Sequence, residues 1–324
     1  MKPNRKGWML ALAAMIIAAP SVEALDYPTA RLTARVVDEE GNAIAGADAE
    51  AYFVVAKMHE WGDTTIRKTG KSDDKGLFIV EGAGGPMVSV SASKDGFYSG
   101  GSGFEFKARS PRNRWEPWNP AINLVLRRRR NPVPMYAQYT DYILVPVFDQ
   151  AVGYDLEKGD WVTPHGKGLV SDFVFKFHVE RRSFSDYECS FILTFSNAHD
   201  GIQEYYFPPK EASYYKWPFE APVDGYIPSL ERHMAAKPHS SFVSNEKDGV
   251  NYIFRVRSKD DARGNIVDAR YGKIRGELSL SPTGKISFSS YFNPDGTRNL
   301  EFDPNRNLFH WSYEDEGKHR LGEP

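Results

Sequence analysis

From Arg31 onward, apolar and polar residues alternate in short runs broken by glycine and aspartate. In `RLTARVVD`, Leu32, Ala34 and Val36 share one side, the two-residue period of a half-buried strand. `DEEGNAIAGADAEAYFVV` predicts a turn at Glu40-Gly41-Asn42 and then a second strand. `KSDDKGLFIVEG` predicts a turn on Asp73, Asp74 and Gly76 that feeds a strand from Leu77 to Val80. `PMVSVSASKDGFY` alternates again through Val88 and Val90 and stops at Asp95-Gly96, and `NPAINLVLRR` closes the series. None of these segments has the 3.6-residue period of a helix, so the pattern predicts an N-terminal antiparallel β-sandwich.

After `NPVPMYA` the composition shifts toward phenylalanine, tyrosine and tryptophan. `SDFVFKFHVERRSFSDYECSFILTFSN` reads as a hairpin with Phe173, Phe175, Phe177 and Val179 on one face, answered by Phe191, Leu193 and Phe195 on the return. Further on, turn signals at Ala262–Asn265, Pro282–Gly284 and Pro294–Gly296 separate alternating runs, the pattern of an up-and-down meander. `PSLERHMAAK`, Pro228 to Lys237, predicts a short helix. The fold class is therefore all-β: a sandwich over 25–131, then a larger β-rich antiparallel domain over 132–324 with one short helix and a flexible C-terminal tail.

In the first domain, Val37-Asp38-x-x-Gly41-x-x-Ile44-x-Gly46-Ala47 is followed by Ser72-Asp73-x-x-Gly76-x-Phe78 and Lys94-Asp95-Gly96-Phe97. This order resembles the carboxypeptidase regulatory-like, transthyretin-type β-sandwich over about residues 30 to 130. The resemblance implies a sandwich with Phe78 and Phe97 between its sheets, in a module accessory to something else and without catalytic residues. This chain departs from a minimal copy in the long stretch Phe97–Pro120, whose Gly, Arg and Trp content predicts a surface loop. The junction `NPVPMYA` and the later `NPDGTRNLEFDPNRNLF` look like those of uncharacterised exported bacterial proteins with the same module.

The first residues change the picture of compartment. Lys2, Arg5 and Lys6 precede an apolar run from Trp8 to Ala19, then Pro20 and the small residues Val22 and Ala24. This is the layout of a secretory signal cleaved after Ala24, and the run is too short to cross a bilayer, which takes roughly 20 residues. A periplasmic or secreted protein without a membrane span in the mature chain is the expectation. Cys189, the single cysteine, has no intrachain partner; its strand-like context predicts burial, with an intermolecular or reactive thiol as the alternative.

The net charge of −2 gives no case for a nucleic-acid partner, but the charge is unevenly spread. Eight basic residues fall between Lys107 and Arg130, and Arg127, Arg128, Arg129 and Arg130 end an apolar run just before Pro132 and Pro134. Side chains alternate along a strand, so these four predict a strand projecting past the sandwich at a domain boundary. Its charges either defend a sheet edge or contact an anionic polymer or acidic partner surface.

Catalytic signatures such as G-x-S-x-G, H-E-x-x-H and G-x-x-x-x-G-K-[ST] are missing, and no cofactor or metal is expected. The calcium-like alternation Asp295, Thr297, Asn299, Glu301, Asp303 lacks the glycine and the bidentate acid of an EF-hand and is explained by a polar strand face. His310, Glu314, Asp315, Glu316 and His319 belong to the tail. His199-Asp200 predicts a turn rather than a catalytic pair.

The strongest functional candidate is `EYYFPPKEASYYKWPFEAPVDGY`, with eight aromatic residues between Tyr205 and Tyr226 and four prolines among them. Prolines forbid a regular element throughout, so Tyr205, Tyr206, Tyr214, Tyr215, Trp217 and Phe219 are expected on a stiff loop, displayed for stacking on sugar or partner. The alternative is a satellite cluster folded inward. The function that fits is an exported non-catalytic binding or structural module of the cell envelope, contacting a polysaccharide or protein. The competing class is a carbohydrate-active or other hydrolytic enzyme whose acids meet only in the fold.

Overall fold

The computed structural model describes residues 27–56, 63–209, 212–310 and 321. The expected leader, residues 1–24, lies outside them, as do Glu314, Asp315, Glu316 and His319. No helix among the described residues is long and apolar enough to cross a membrane.

Residues 29–125 supply β1 (Thr29–Val37), β2 (Asp48–Ala56), β3 (Asp63–Lys71), β4 (Leu77–Ala83), β5 (Met87–Ser93), β6 (Gly100–Glu105), β7 (Ala108–Ser110), β8 (Arg114–Glu116) and β9 (Ala121–Val125). One sheet runs β4-β1-β8-β7, with β9 sharing β1's second edge; the other runs β3-β2-β5-β6. The pairing is antiparallel except along that second edge of β1, where β8 and β9 run parallel to it. Alternation produces the core: Leu32, Ala34 and Val36 meet Phe53, Val88, Val90 and Phe78 between the sheets, with Phe97 packed at the margin. Gly76 carries the turn into β4 at φ +73°, and a Cβ there would lie 2.5 Å from the Val36 carbonyl oxygen, so no other residue fits.

The stretch Phe97–Pro120 is not a surface loop. It contains β6, β7 and β8, and the indole of Trp115 donates to the Gly84 carbonyl at 2.8 Å while its ring packs on the core.

The second half supplies β10 (Tyr136–Leu144), β11 (Ala151–Asp155), β12 (Asp160–Trp161), β13 (Phe173–Ser183), β14 (Asp186–Thr194), β15 (Gly201–Tyr206), β16 (Ser229–Ala236), β17 (Val243–Ser244), β18 (Val250–Asp260), β19 (Ile266–Ser281) and β20 (Lys285–Asn293). A five-stranded sheet, β10-β20-β19-β18-β15, faces a six-stranded one, β12-β11-β13-β14-β16-β17. Phe173, Phe175, Phe177, Phe191 and Leu193 are buried between them with Phe254, Phe288 and Phe292, as the hairpin pattern implies. Cys189 is buried in β14, and desolvation pushes its thiol up to about 11.

Pro228–Lys237 is not helical. Ser229–Ala236 form β16, paired antiparallel along the whole of β14 from Tyr187 to Thr194. The Glu, Met and Ala content favours a helix, but Leu230 and Arg232 alternate with exposed neighbours, and a waiting strand edge outweighs a weak propensity. The short helical element is a 3-10 turn at Pro304–Arg306, capped by the Asp303 side chain.

β18 departs from alternation altogether: its residues from Val250 to Val256 are all buried. One face of the five-stranded sheet meets its partner sheet. The other lies under the aromatic segment.

Candidate functional site: the seam between the sandwiches

The segment from Ala212 to Pro222 crosses from one sandwich to the other. At its start the Ala212 carbonyl accepts from Gly101 N at 2.7 Å and Tyr214 N donates to the Ser99 carbonyl at 2.9 Å, extending the β6 edge of the N-terminal sandwich. At its end Leu300 N donates to the Phe219 carbonyl at 2.9 Å and Ala221 N to the Arg298 carbonyl at 2.7 Å. An irregular, proline-bearing chain thus satisfies its backbone by borrowing partners on both sides.

Its rings turn inward. Tyr215 and Trp217 have 0% exposure. Tyr215 stacks on Tyr98 of the N-terminal sandwich at 4.6 Å and on Phe219 at 5.1 Å, and Trp217 stacks on Tyr205 at 5.6 Å. With Ile253, Ala269, Tyr271 and Leu300 they form a separate core on the outer face of β18 and β19. The expected display therefore fails for Tyr215 and Trp217, and Tyr205 and Phe219 are partly buried against the same cluster. Only Tyr206 (50%) and Tyr214 (52%) of the six present substantial surface.

Beneath the rings lies a residue that pattern reading passed over. Lys273 of β19 is fully buried, with its Nζ 4.9 to 5.3 Å from the ring centres of Tyr291, Trp217 and Tyr215. It donates to the Leu300 carbonyl at 2.7 Å. Desolvation drives its pKa well below the ordinary lysine value, against the opposing pull of Glu301. The aromatic faces add to the negative potential that Glu301 exerts at Nζ. The sequence signal is slight: Lys273 sits between Gly272 and Ile274 in one of the alternating runs of the meander.

Two of the four arginines, Arg127 and Arg130, meet the same segment, while Arg128 and Arg129 meet Phe97 and Tyr98 of the N-terminal sandwich. β9 ends at Val125, so no strand projects past the sandwich; the side chains fold down onto aromatic faces. Arg127 lies 4.4 Å from the Phe219 ring centre and donates to the Tyr215 and Trp217 carbonyls at 3.1 and 2.7 Å and to Glu39 at 3.3 Å. Arg130 covers Phe219 at 3.9 Å, Arg128 covers Phe97 at 4.7 Å and Arg129 covers Tyr98 at 5.0 Å. The guanidinium plane suits both stacking and fixed hydrogen bonds. The buried carboxylate of Glu301 completes the joint, accepting from Arg130 N at 2.9 Å, Asn131 N at 2.7 Å and the Tyr98 hydroxyl at 3.0 Å. Two regions read as separate candidates, the arginine run and the aromatic segment, are one structure.

The remaining candidates separate. Asp295 accepts from Thr297 N, Asn299 from Glu301 N and Asp303 from Asn305 N, so these side chains tie down local backbone one by one. His199 pairs with Asp260 at 3.4 Å rather than with Asp200, which accepts from Arg257 N and Ser258 N. His310 is exposed.

Two acids whose charges act on one another, Glu277 and Glu246, lie elsewhere. Glu277 accepts from Arg232 Nε at 2.9 Å and from the Tyr252 hydroxyl. Burial raises the pKa of nearby Glu246, and the charge of Glu277 raises it further. The void beside Glu246 and Cys189 is about 10 Å³, about the space of one water and no room for a sugar.

No protein-family model matches the chain, and no curated protein matches its sequence. Solved structures share parts of its shape. A 3-chlorocatechol 1,2-dioxygenase from Rhodococcus opacus 1CP is 13% identical over 32% of this chain and 61% of its own, with a TM-score of 0.25. The chain thus spans about three fifths of the length of the dioxygenases it matches. The shaft pilin SpaA from Lactobacillus rhamnosus GG, as its D295N mutant, is 10% identical over 85% of this chain and 99% of its own, with a TM-score of 0.22. BcpA, the major pilin subunit of Bacillus cereus, is 9% identical over 84% and 92%, with a TM-score of 0.23. Similarity at this level carries no functional argument.

Proposed function

We propose that this chain is an exported, non-catalytic module of the cell envelope, a rigid two-sandwich element that contacts a polysaccharide or protein partner. We read its N-terminal sandwich as a module of the carboxypeptidase regulatory-like type, on the glycine, aspartate and phenylalanine pattern already described. Export rests on the basic, apolar and small-residue layout of residues 1–24.

The observation that carries the reading is the seam. Buried Tyr215 and Trp217, hydrogen bonds to both sandwiches and the stacked Arg127 and Arg130 hold two β units in one orientation. Rigidity of that kind suits a spacer or a presenting scaffold. It is of little use to a hinge-closing enzyme, whose catalytic cycle opens and shuts a cleft.

Sedimentation with isolated bacterial envelope fragments tests this. The processed chain, from Leu25, should pellet with the fragments and release no soluble saccharide or peptide. A chain that stays in the supernatant, or one that liberates fragments, would contradict it.

A further inference from the structure

The antiparallel order β3-β2-β5 brings the start of β2 and the ends of β3 and β5 to one end of the N-terminal sandwich, beside the seam. A cleft of about 340 Å³ opens there, within the roughly 300–1,000 Å³ of small-molecule sites. Its walls come from four places in the chain: Asp48 at the start of β2, Lys71 at the end of β3, Ser93 to Phe97 after β5, and Arg129 from the linker. Two turn glycines, Gly46 and Gly96, complete it without side chains.

The charges inside are not all equivalent. Lys71 and Asp48 neutralise one another in an ion pair. Among the described residues the Lys94 ammonium makes one hydrogen bond, to the Gly46 carbonyl at 3.2 Å. Arg129 differs from Arg127 in that its guanidinium makes no ion pair or side-chain hydrogen bond among the described residues. It is nevertheless held: its backbone N donates to the Gly96 carbonyl at 2.9 Å, and its guanidinium stacks over buried Tyr98 at 5.0 Å. A positioned guanidinium with its donors unspoken for is the usual reader of a carboxylate or phosphate. Asp95, also in the lining, is an acceptor suited to hydroxyl groups. Phe97 adds an aromatic edge, its ring fixed by Arg128.

We propose that this cleft binds an acidic sugar unit, a uronate of an envelope polysaccharide, with Arg129 and Lys94 on the carboxylate and Asp95 on hydroxyls. The proposal rests on the envelope-module reading and names its ligand class. It also gives the seam a second consequence, because the stacking that joins the sandwiches is what aims Arg129.

Titration of the processed chain with trigalacturonate, followed by calorimetry, tests it, with galactotriose and inorganic phosphate as comparison probes. Trigalacturonate should bind, and galactotriose should bind at least about tenfold more weakly. Arg129→Gln and Lys94→Gln should each weaken trigalacturonate by about tenfold while melting within a few degrees of the parent. Lack of trigalacturonate binding, equal binding of galactotriose, or indifference to both substitutions would overturn the proposal. Phosphate binding as tightly as trigalacturonate would make this a bare anion site and overturn the sugar assignment. Envelope sedimentation separates the two readings: a chain that pellets yet ignores trigalacturonate loses only the cleft proposal, whereas one that fails to pellet loses the module reading itself.

Discussion

At Trp217 the indole is sealed between Tyr205, Phe207 and the ammonium of Lys273, while three residues earlier the Tyr214 ring is half exposed. Trp217→Ala should therefore lower the unfolding free energy by about 3–5 kcal/mol, and Tyr214→Ala by no more than about 1 kcal/mol, measured by denaturant titration. Equal small losses would return the segment to a displayed loop. The aromatic content and the prolines leave a displayed loop and a satellite cluster folded inward both open, and the chain takes the second for Tyr215 and Trp217. Prolines exclude regular structure but not burial: an irregular chain can be buried wherever neighbouring backbone pairs with it, as Ser99, Gly101 and Arg298 do here. Those partners lie 111 and 115 residues before and 77 residues after the positions they pair with, beyond any local pattern. The raised pKa of Glu246 means that the folded chain holds the proton more tightly than the unfolded one. Its contribution to stability is fully present below the ordinary glutamate value of 4.5 and is lost as pH rises through the folded value. Glu246→Gln should raise the melting temperature at pH 7 and leave it nearly unchanged at pH 4; a gain at pH 4 with none at pH 7 would reverse the assignment.

Among the elements, strands with one wet face were the most legible. The alternation in β1, β5, β13 and β14 predicts most of their buried residues, because a two-residue period leaves a single choice of face; Val37, buried out of phase, and half-buried Val179 depart from it. β16 was misread as a helix because its composition speaks louder than its short alternation. The linker was misread for a different reason: Arg127–Arg130 look like a solvated tip until the faces that receive them are known. Susceptibility to protease follows. A boundary of four arginines and two prolines predicts early cleavage at 127–139, whereas the packed linker and the strands within Phe97–Pro120 predict resistance there. Early thermolysin cuts should instead fall at the exposed stretch 237–243, around Phe242 and Val243, or at Phe184, which is 89% exposed at the tip between β13 and β14. First cuts within 127–139, located by mass spectrometry, would mean that the seam opens readily.

For the whole molecule, the consequence of the seam is cooperativity. Two sandwiches joined by a free linker unfold separately, and chains of this size commonly depart from two-state behaviour. Here Tyr98 and Phe97 of the first sandwich are stacked by residues from the linker and the second, and Arg127 bridges Glu39 to the Tyr215 and Trp217 carbonyls. Opening the joint would give up the Arg127 and Glu301 hydrogen bonds across it, about 1.5–3 kcal/mol each for charged groups, and expose buried Tyr215 and Trp217 to water. Differential scanning calorimetry of the processed chain, beside its Arg127→Ala variant, tests the coupling most directly. The parent should melt in one transition whose calorimetric and van't Hoff enthalpies agree, and Arg127→Ala should split it into two. Two resolved transitions in the parent, or a single unshifted one in the variant, would contradict a chain whose sandwiches act as one body.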